Sequence, residues 1–351
     1  MAVEPVLTRI DPIFSPRPWG ARSLAPLFPE KMNLPEPIGE AWLTALDSRV
    51  ATGPFAGKSL GESWRVMPPE WRGTRSGRYK DFPLLVKFLF PKEKLSIQVH
   101  PNDSFANKYE QAAGGRGKTE MWHIVFAEPG AALLLGLKPG VTREAFLEGL
   151  ANNTVEDLFV RYPVRAGESY FVEAGTQHAI LPDMVVCEVQ EYSDLTYRVY
   201  DYGRVDSSGK SRELHLQKAL EVTRFERTRS GKVPAMALHS PDANKHLLAA
   251  CEFFATERWE CDRTTLLESD PSEFQLVIIL RGTGQLHDSE VSHPFHAGQA
   301  WFLPAALPLT LLQPYEPTSL LRITVPDEDS LFRELQRQGF EPQAISRVLM
   351  V

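Results

Sequence analysis

The feature that most constrains this chain is how often it is interrupted: 28 prolines and 23 glycines are spread along 351 residues. Proline removes a backbone donor and fixes φ, and glycine loosens the backbone, so long helices do not run through such a sequence. Between the breaks lie short runs rich in Val, Ile, Phe and Tyr, at residues 84–89, 95–100, 121–126, 169–174 and 184–190. They are bounded by Pro, Gly, Asp or Asn, as strands are. Their spacing predicts an all-β fold of the sandwich or barrel type.

Helices read as additions. Residues 145–162 set Phe146, Leu147, Leu150, Val155 and Leu158 near helical spacing, which predicts two short helices with Thr154 capping the second. Residues 214–223 offer another helix. Asp327 is placed to cap a last one that carries Leu331, Phe332 and Leu335.

A second strand series follows at 274–286, 295–305 and 309–314. In both halves an Ala-Gly turn leads into an aromatic strand, a weak internal similarity that suggests two copies of one β unit. Only the first copy has a histidine after that strand, His178. The basic, polar segment 225–233 is the expected boundary. It divides the chain into a metal-binding unit at 1–225, with a short helical insert near 141–162, and a second β unit without a metal site at 226–351.

With 43% hydrophobic and 24% charged residues, the chain has the make-up of a soluble globular protein. A formal net charge of −7 leaves no basic footprint for nucleic acid or an anionic membrane. Cys187, Cys251 and Cys261 form no CxxC pair and no disulfide framework. The opening residues lack a basic and apolar leader, and no apolar stretch reaches membrane-span length, so the expected location is the cytoplasm.

The strongest chemical pattern is Gln98-Val99-His100, then Glu120, then His178. On a strand, residues i and i+2 share a face, so Gln98 and His100 can reach one centre. Two imidazoles, a carboxylate and an amide oxygen suit zinc with a position left open. His123, His215, His239 and His246 carry no such pattern. His287, His293 and His296 read as a polar loop between strands rather than a metal site. The run Ala113–Lys118 is not a phosphate loop, since the GxxxxGK frame needs Gly at position 112, which is Ala.

At these residues the sequence resembles the type I mannose-6-phosphate isomerases, in their short bacterial branch. PLLVKFLFPKEKLSIQVHPND (83–103), GKTEMWHIV (117–125), ESYFVEAGTQHAI (168–180) and CEVQEYSDLTYRVYDYGR (187–204) carry the resemblance, with RPWG (17–20) and IGEAW (38–42) upstream. The resemblance implies a double cupin, two β-sandwich barrels with short helical additions and the site in the first. It places one zinc per chain on Gln98, His100, Glu120 and His178. Further active-site positions fall on Trp19, Glu40, Lys87, Ser96, Lys118, Glu188 and Arg198. Glu173 departs from the family, where Pro commonly precedes the Ala-Gly turn. The chain also lacks the large helical insert of longer members, so a more open mouth is expected.

The implied reaction interconverts mannose 6-phosphate and fructose 6-phosphate by proton transfer between adjacent carbons through an enediol. Zinc suits such chemistry because no redox change is required. Arg198, Glu188 and Lys118 are the expected catalytic residues, with Trp19, Glu40, Lys87 and Ser96 binding substrate. The base is Glu188, Lys118 or a metal-bound water, with Glu188 favoured because burial on a strand raises a carboxyl pKa. Without the resemblance, Arg198 reads as an ion-pair partner of Asp194 or Asp201. The expected partner is a sugar phosphate, and the expected state is a monomer or weak homodimer. Two other functions stay open: a metal-cupin oxygenase, since His100, Glu120 and His178 also form a two-His, one-carboxylate triad, and a non-catalytic sugar-phosphate-binding cupin.

Overall fold

A computed structural model of the chain describes residues 4–205, 209–226, 228–288 and 291–350; Arg227, within the expected boundary segment, lies outside the described residues. The fold is built from four antiparallel sheets of seven, five, seven and four strands. They form two sandwiches with few helices, the all-β architecture expected from the interrupted sequence.

In the first sandwich a seven-stranded sheet centres on Glu120–Ala127, Met184–Glu191 and Leu84–Leu89. It faces a five-stranded sheet containing Ile97–Val99, His178–Ile180 and Tyr197–Tyr200. Trp122, Ile124, Leu133, Leu135, Tyr170 and Val186 fill part of the space between. In the second sandwich Val277, Ile279, Leu286, Phe295, Trp301 and Leu312 do so.

The largest core lies between the two seven-stranded sheets, where Val86, Phe88, Met121 and Cys187 of one meet Leu276, Ile278, Phe302 and Leu321 of the other. Both faces of these sheets are therefore covered. That explains why Met184–Glu191 is buried along its whole length and shows no alternation of apolar and polar residues. Two strands join the sandwiches further: Thr8–Ile10 pairs with Ala300–Leu303, and Gly231–Val233 pairs with Ser169–Val172.

Some local expectations change. The strand expected at 95–100 is only Ile97–Val99, and the one at 169–174 stops at Val172. It stops because Gly175, at φ +88°, turns the chain and donates its N–H to the carbonyl of His100 at 2.8 Å. The insert is one helix, Arg143–Ala151, capped by Thr142, which accepts from the Ala145 N–H at 3.2 Å. The second expected helix is a single tight turn, Val155–Leu158, and the Thr154 side chain does not cap it. Asp327 caps Glu328–Arg337 as expected.

The three clustered histidines are not in a loop. His287 lies on Thr283–Asp288 and His293 and His296 on Val291–His296, two paired strands. The buried-exposed alternation of TGQLHD is the period of a half-buried strand, which the polar composition masked.

Candidate metal centre and active site

Strand register assembles the site on two facing sheets. On the larger sheet, Lys87, Glu188, Trp122 and Tyr170 are successive cross-strand partners, and Glu120 pairs with Gln190 one step along. On the smaller sheet, Gln98 lies directly opposite both His178 and Arg198. Cross-strand partners share a face, so both rows point into the same sandwich. His100 follows Ile97–Val99 and is held by its contact with the Gly175 turn.

At the centre, Glu120 Oε1 lies 3.7 Å from His100 Nε2 and 3.6 Å from His178 Nε2. All three side chains are buried. His100 Nδ1 meets the carbonyl of Leu195 at 2.8 Å, and His178 Nδ1 meets that of Thr176 at 2.9 Å. A carbonyl only accepts, so each ring carries its proton on Nδ1 and turns a bare Nε2 inward. Burial, with Lys118 next, pushes the His100 pKa well below its ordinary value, and burial foremost brings His178 to about 4. Both rings are therefore neutral, as metal ligands must be.

Glu120 Oε1 is buried and has no hydrogen-bond partner. Such an atom is costly unless something positive meets it. Ligand atoms on a tetrahedral zinc stand about 3.3–3.5 Å apart, close to the separations found. Gln98 lies beside the centre, its amide nitrogen 3.3 Å from His178 Nε2 and its amide oxygen accepting from Ser96 Oγ at 3.4 Å. The residues present thus fit a zinc-sized cation. Among the described residues no second group of this kind occurs. In the second sandwich Val277, Ile279, Leu286, Trp301 and Leu320 form an apolar cluster. His287 is instead occupied by Ser292 and Gln313, at 2.8 and 3.0 Å.

Above the centre opens a cavity of about 470 Å³ lined by Trp19, Glu40, Lys87, Ser96, Gln98, Lys118, Glu188 and Arg198. A larger one of about 670 Å³ lies between the sandwiches, lined mainly by apolar atoms, and includes none of these residues.

Within the smaller cavity, Glu188 receives a hydrogen bond from Trp122 Nε1 at 3.1 Å and stands 3.5 Å from Lys118 Nζ and 3.8 Å from Lys87 Nζ. Burial, then the neighbouring Glu120, raises its pKa. Lys118 also touches Glu120 and lies 3.3 Å from His100 Nε2. Burial opposes its charge, but Glu120 and Glu188 prevail and raise its pKa, so it is a cation. Glu40 accepts from Arg17 at 2.8 Å and from Trp42 Nε1 at 2.7 Å.

Two family models match. Residues 7–121 fit the phosphomannose isomerase type I catalytic domain, and residues 243–311 fit the mannose-6-phosphate isomerase cupin domain. The mannose-6-phosphate isomerase ManA of Bacillus subtilis is 33% identical over 322 residues, 88% of this chain and 95% of that one. The chain belongs to the type I phosphomannose isomerase family. A crystal structure of the mannose 6-phosphate isomerase from Bacillus subtilis superposes with a TM-score of 0.81 at 30% identity, covering 90% of this chain and 99% of that one. The mannose-6-phosphate isomerase of Streptococcus mutans is 28% identical over 82% of this chain and 88% of its own. The fold is the double cupin.

In this phosphomannose isomerase family member, neither Asp194 nor Asp201 pairs with Arg198. Asp194 holds Lys87 at 2.7 Å, and Asp201 holds Arg204 and Arg212. Glu173 faces away from the centre and pairs with Arg224. Sequence reasoning missed Arg17, Trp122, Thr196, Arg212 and His215 as neighbours of the site. Trp122 was findable, since it shares a strand face with Glu120. Arg212 and His215 carry no spacing signal and arrive by tertiary folding.

Proposed function

We propose that this chain is a zinc-dependent aldose–ketose isomerase that interconverts mannose 6-phosphate and fructose 6-phosphate. The observation that carries the reading is the buried His100–Glu120–His178 centre, with its orphaned carboxylate oxygen, at the foot of a polar cavity walled by Glu188 and two lysines. Relatives named mannose-6-phosphate isomerase, similar over most of the chain, supply the substrate.

His100, Glu120, His178 and Gln98 would hold the zinc, Gln98 through its amide oxygen. When bound, the ion supplies Lewis acidity to a sugar oxygen. Once the sugar ring is open, Glu188 removes the proton from the carbon next to the carbonyl. It returns that proton to the neighbouring carbon while the hydroxyl proton passes from one oxygen to the other, so the carbonyl moves by one position and nothing is oxidised or reduced overall. Trp122 fixes one oxygen of Glu188. Lys118 and Lys87 offset the negative charge that develops on the sugar oxygens. Arg198 lines the cavity, and among the described residues no carboxylate forms an ion pair with it.

Residues 1–225 form the catalytic unit, and residues 226–351 a second unit without a metal. The partner is a sugar phosphate, and the protein works in the cytoplasm. Among the described residues no helix is long and apolar enough to cross a membrane.

The test is metal content and turnover on one purified sample, with fructose 6-phosphate formation coupled to a reporting enzyme. Near one zinc per chain and turnover abolished by a chelator is the expected result. Iron in place of zinc, with no turnover, would move the assignment to the oxygenase that shares the two-His, one-carboxylate triad.

A further inference from the structure

The cations of the cavity divide into two kinds. Lys87 and Lys118 are almost wholly buried and already balanced by Asp194, Glu188 and Glu120. Arg198 is not. Its Nε donates to Ser96 Oγ at 3.2 Å and its Nη1 to the carbonyl of Glu213 at 3.1 Å. Among the described residues no carboxylate forms an ion pair with it. Burial, then the adjacent Arg212, holds its pKa below the ordinary arginine value, while Asp201 opposes them.

Arg212 lines the same cavity. One edge of its guanidinium is held by Asp201, with Nε donating to Oδ2 at 2.7 Å and Nη2 to Oδ1. Asp201 also holds Arg204, so one carboxylate serves two guanidiniums while Arg198 has none. A guanidinium has five N–H donors, and Arg212 directs two of them to Asp201. His215 is the third group. Its Nδ1 accepts the backbone N–H of Arg198 at 3.3 Å, and its Nε2 stands 3.8 Å from the exposed Glu213 carboxylate.

Two adjacent arginines with donors left over repel each other unless an anion lies between them, and phosphate matches the fork of a guanidinium. We propose that Arg212 completes a phosphate subsite with Arg198, Ser96 and His215, and that this subsite, rather than the deep lysines, selects phosphorylated from plain sugar. The proposal rests on the sugar-phosphate reading of the cavity. Its position suits that substrate. Ser96 Oγ also lies 3.4 Å from the Gln98 amide oxygen, so Arg198 stands two hydrogen bonds from the metal centre. The phosphate and the reacting carbons of a hexose 6-phosphate lie at opposite ends of the chain.

The test compares Arg212→Ala with the wild type, both zinc-loaded. Inorganic phosphate binding is measured by titration calorimetry, and KM for mannose 6-phosphate by steady-state kinetics. Loss of one charge-assisted fork should weaken phosphate binding by about tenfold or more and raise KM by a similar factor. Unchanged phosphate affinity and KM in a variant with wild-type Tm overturns the proposal. Should Arg212→Ala melt early, Arg212→Gln, which can still donate to Asp201, decides by the same two readouts. Phosphate binding that depends on Arg212 in a protein unable to turn over mannose 6-phosphate upholds the subsite and sinks the isomerase reading instead.

Discussion

Trp122 donates its indole N–H to Glu188 Oε2 at 3.1 Å while its ring packs edge-on against His178, with centroids 5.2 Å apart. One buried side chain thus fixes both the proposed base and a proposed metal ligand. In Trp122→Phe the ring contact survives and the N–H is lost. A carboxylate that loses a donor to its charged form has a higher pKa. The acid limb of the kcat–pH profile should move upward by about one unit, since a hydrogen bond to a charged group contributes about 1.5–3 kcal/mol. A profile that stays in place would remove Glu188 from the proton transfer.

His100→Ala takes one of the two inward-facing Nε2 atoms from the centre. Metal measured by plasma mass spectrometry should fall from near one per chain to trace, and turnover should disappear with it. A variant that keeps stoichiometric zinc would show that His100 is not a ligand.

The Arg198 side chain reaches the proposed ligand Gln98 through Ser96, and Arg198→Ala leaves the backbone pairing of the two residues in place. Zinc content should match the wild type, while kcat/KM should fall about a hundredfold, the scale of one or two charge-assisted hydrogen bonds. Full activity would contradict any role for this arginine in the reaction.

His123 is buried beside Ser169, its Nδ1 3.0 Å from the hydroxyl, and burial, then Arg258, lowers its pKa to about 3. An unfolded histidine titrates near 6.5. The folded value is depressed, so on acidification the unfolded state takes up the proton first. The stability from this residue is complete above about pH 6.5. It falls by about 1.4 kcal/mol per pH unit as pH drops from there toward 3. Denaturant titrations of metal-free wild type and His123→Gln between pH 6.5 and 4.5 should show a shallower slope in the variant. Parallel slopes would mean that His123 is protonated in the folded protein.

Cys187 sits next to Glu188 but on the opposite face of the strand, in the core between the two large sheets. Burial pushes its thiol pKa up, so it is no nucleophile. Cys187→Ser should lower stability by about 1–3 kcal/mol, the cost of a buried hydroxyl without a partner. Turnover per folded molecule should be kept. Loss of activity at unchanged Tm would assign the thiol a chemical role.

Much of the site was legible because strand geometry is periodic. The i, i+2 pair Gln98 and His100 could be read from a pleat alone. The breaks at Pro and Gly gave the strand-rich fold, and they located the Gly175 turn that precedes His178. The limits of that reading are equally physical. Strands covered on both faces, such as Met184–Glu191, carry no alternation to show which residues face the site. The polar residues around His287 and His293 suggest a solvent loop, although their period is that of a strand. The ion pair of Arg198 with Asp194 or Asp201 that the sequence suggests does not form. Asp194 and Asp201 are near in sequence, yet Lys87 and Arg212 reach them first in space.

The pairing of Thr8–Ile10 with Ala300–Leu303 bears on how the molecule is made. A ribosome delivers Thr8–Ile10 long before Ala300–Leu303. Until then Thr8–Ile10 keeps its bridge to residues 49–51 but lacks the ladder on its other side, whose N–H and C=O groups wait exposed. Release of Ala300–Leu303 therefore completes the sheet that holds Thr8–Ile10. A nascent chain stalled before residue 300 should remain open to protease near Thr8–Ile10, and it should become more resistant there once Ala300–Leu303 has emerged.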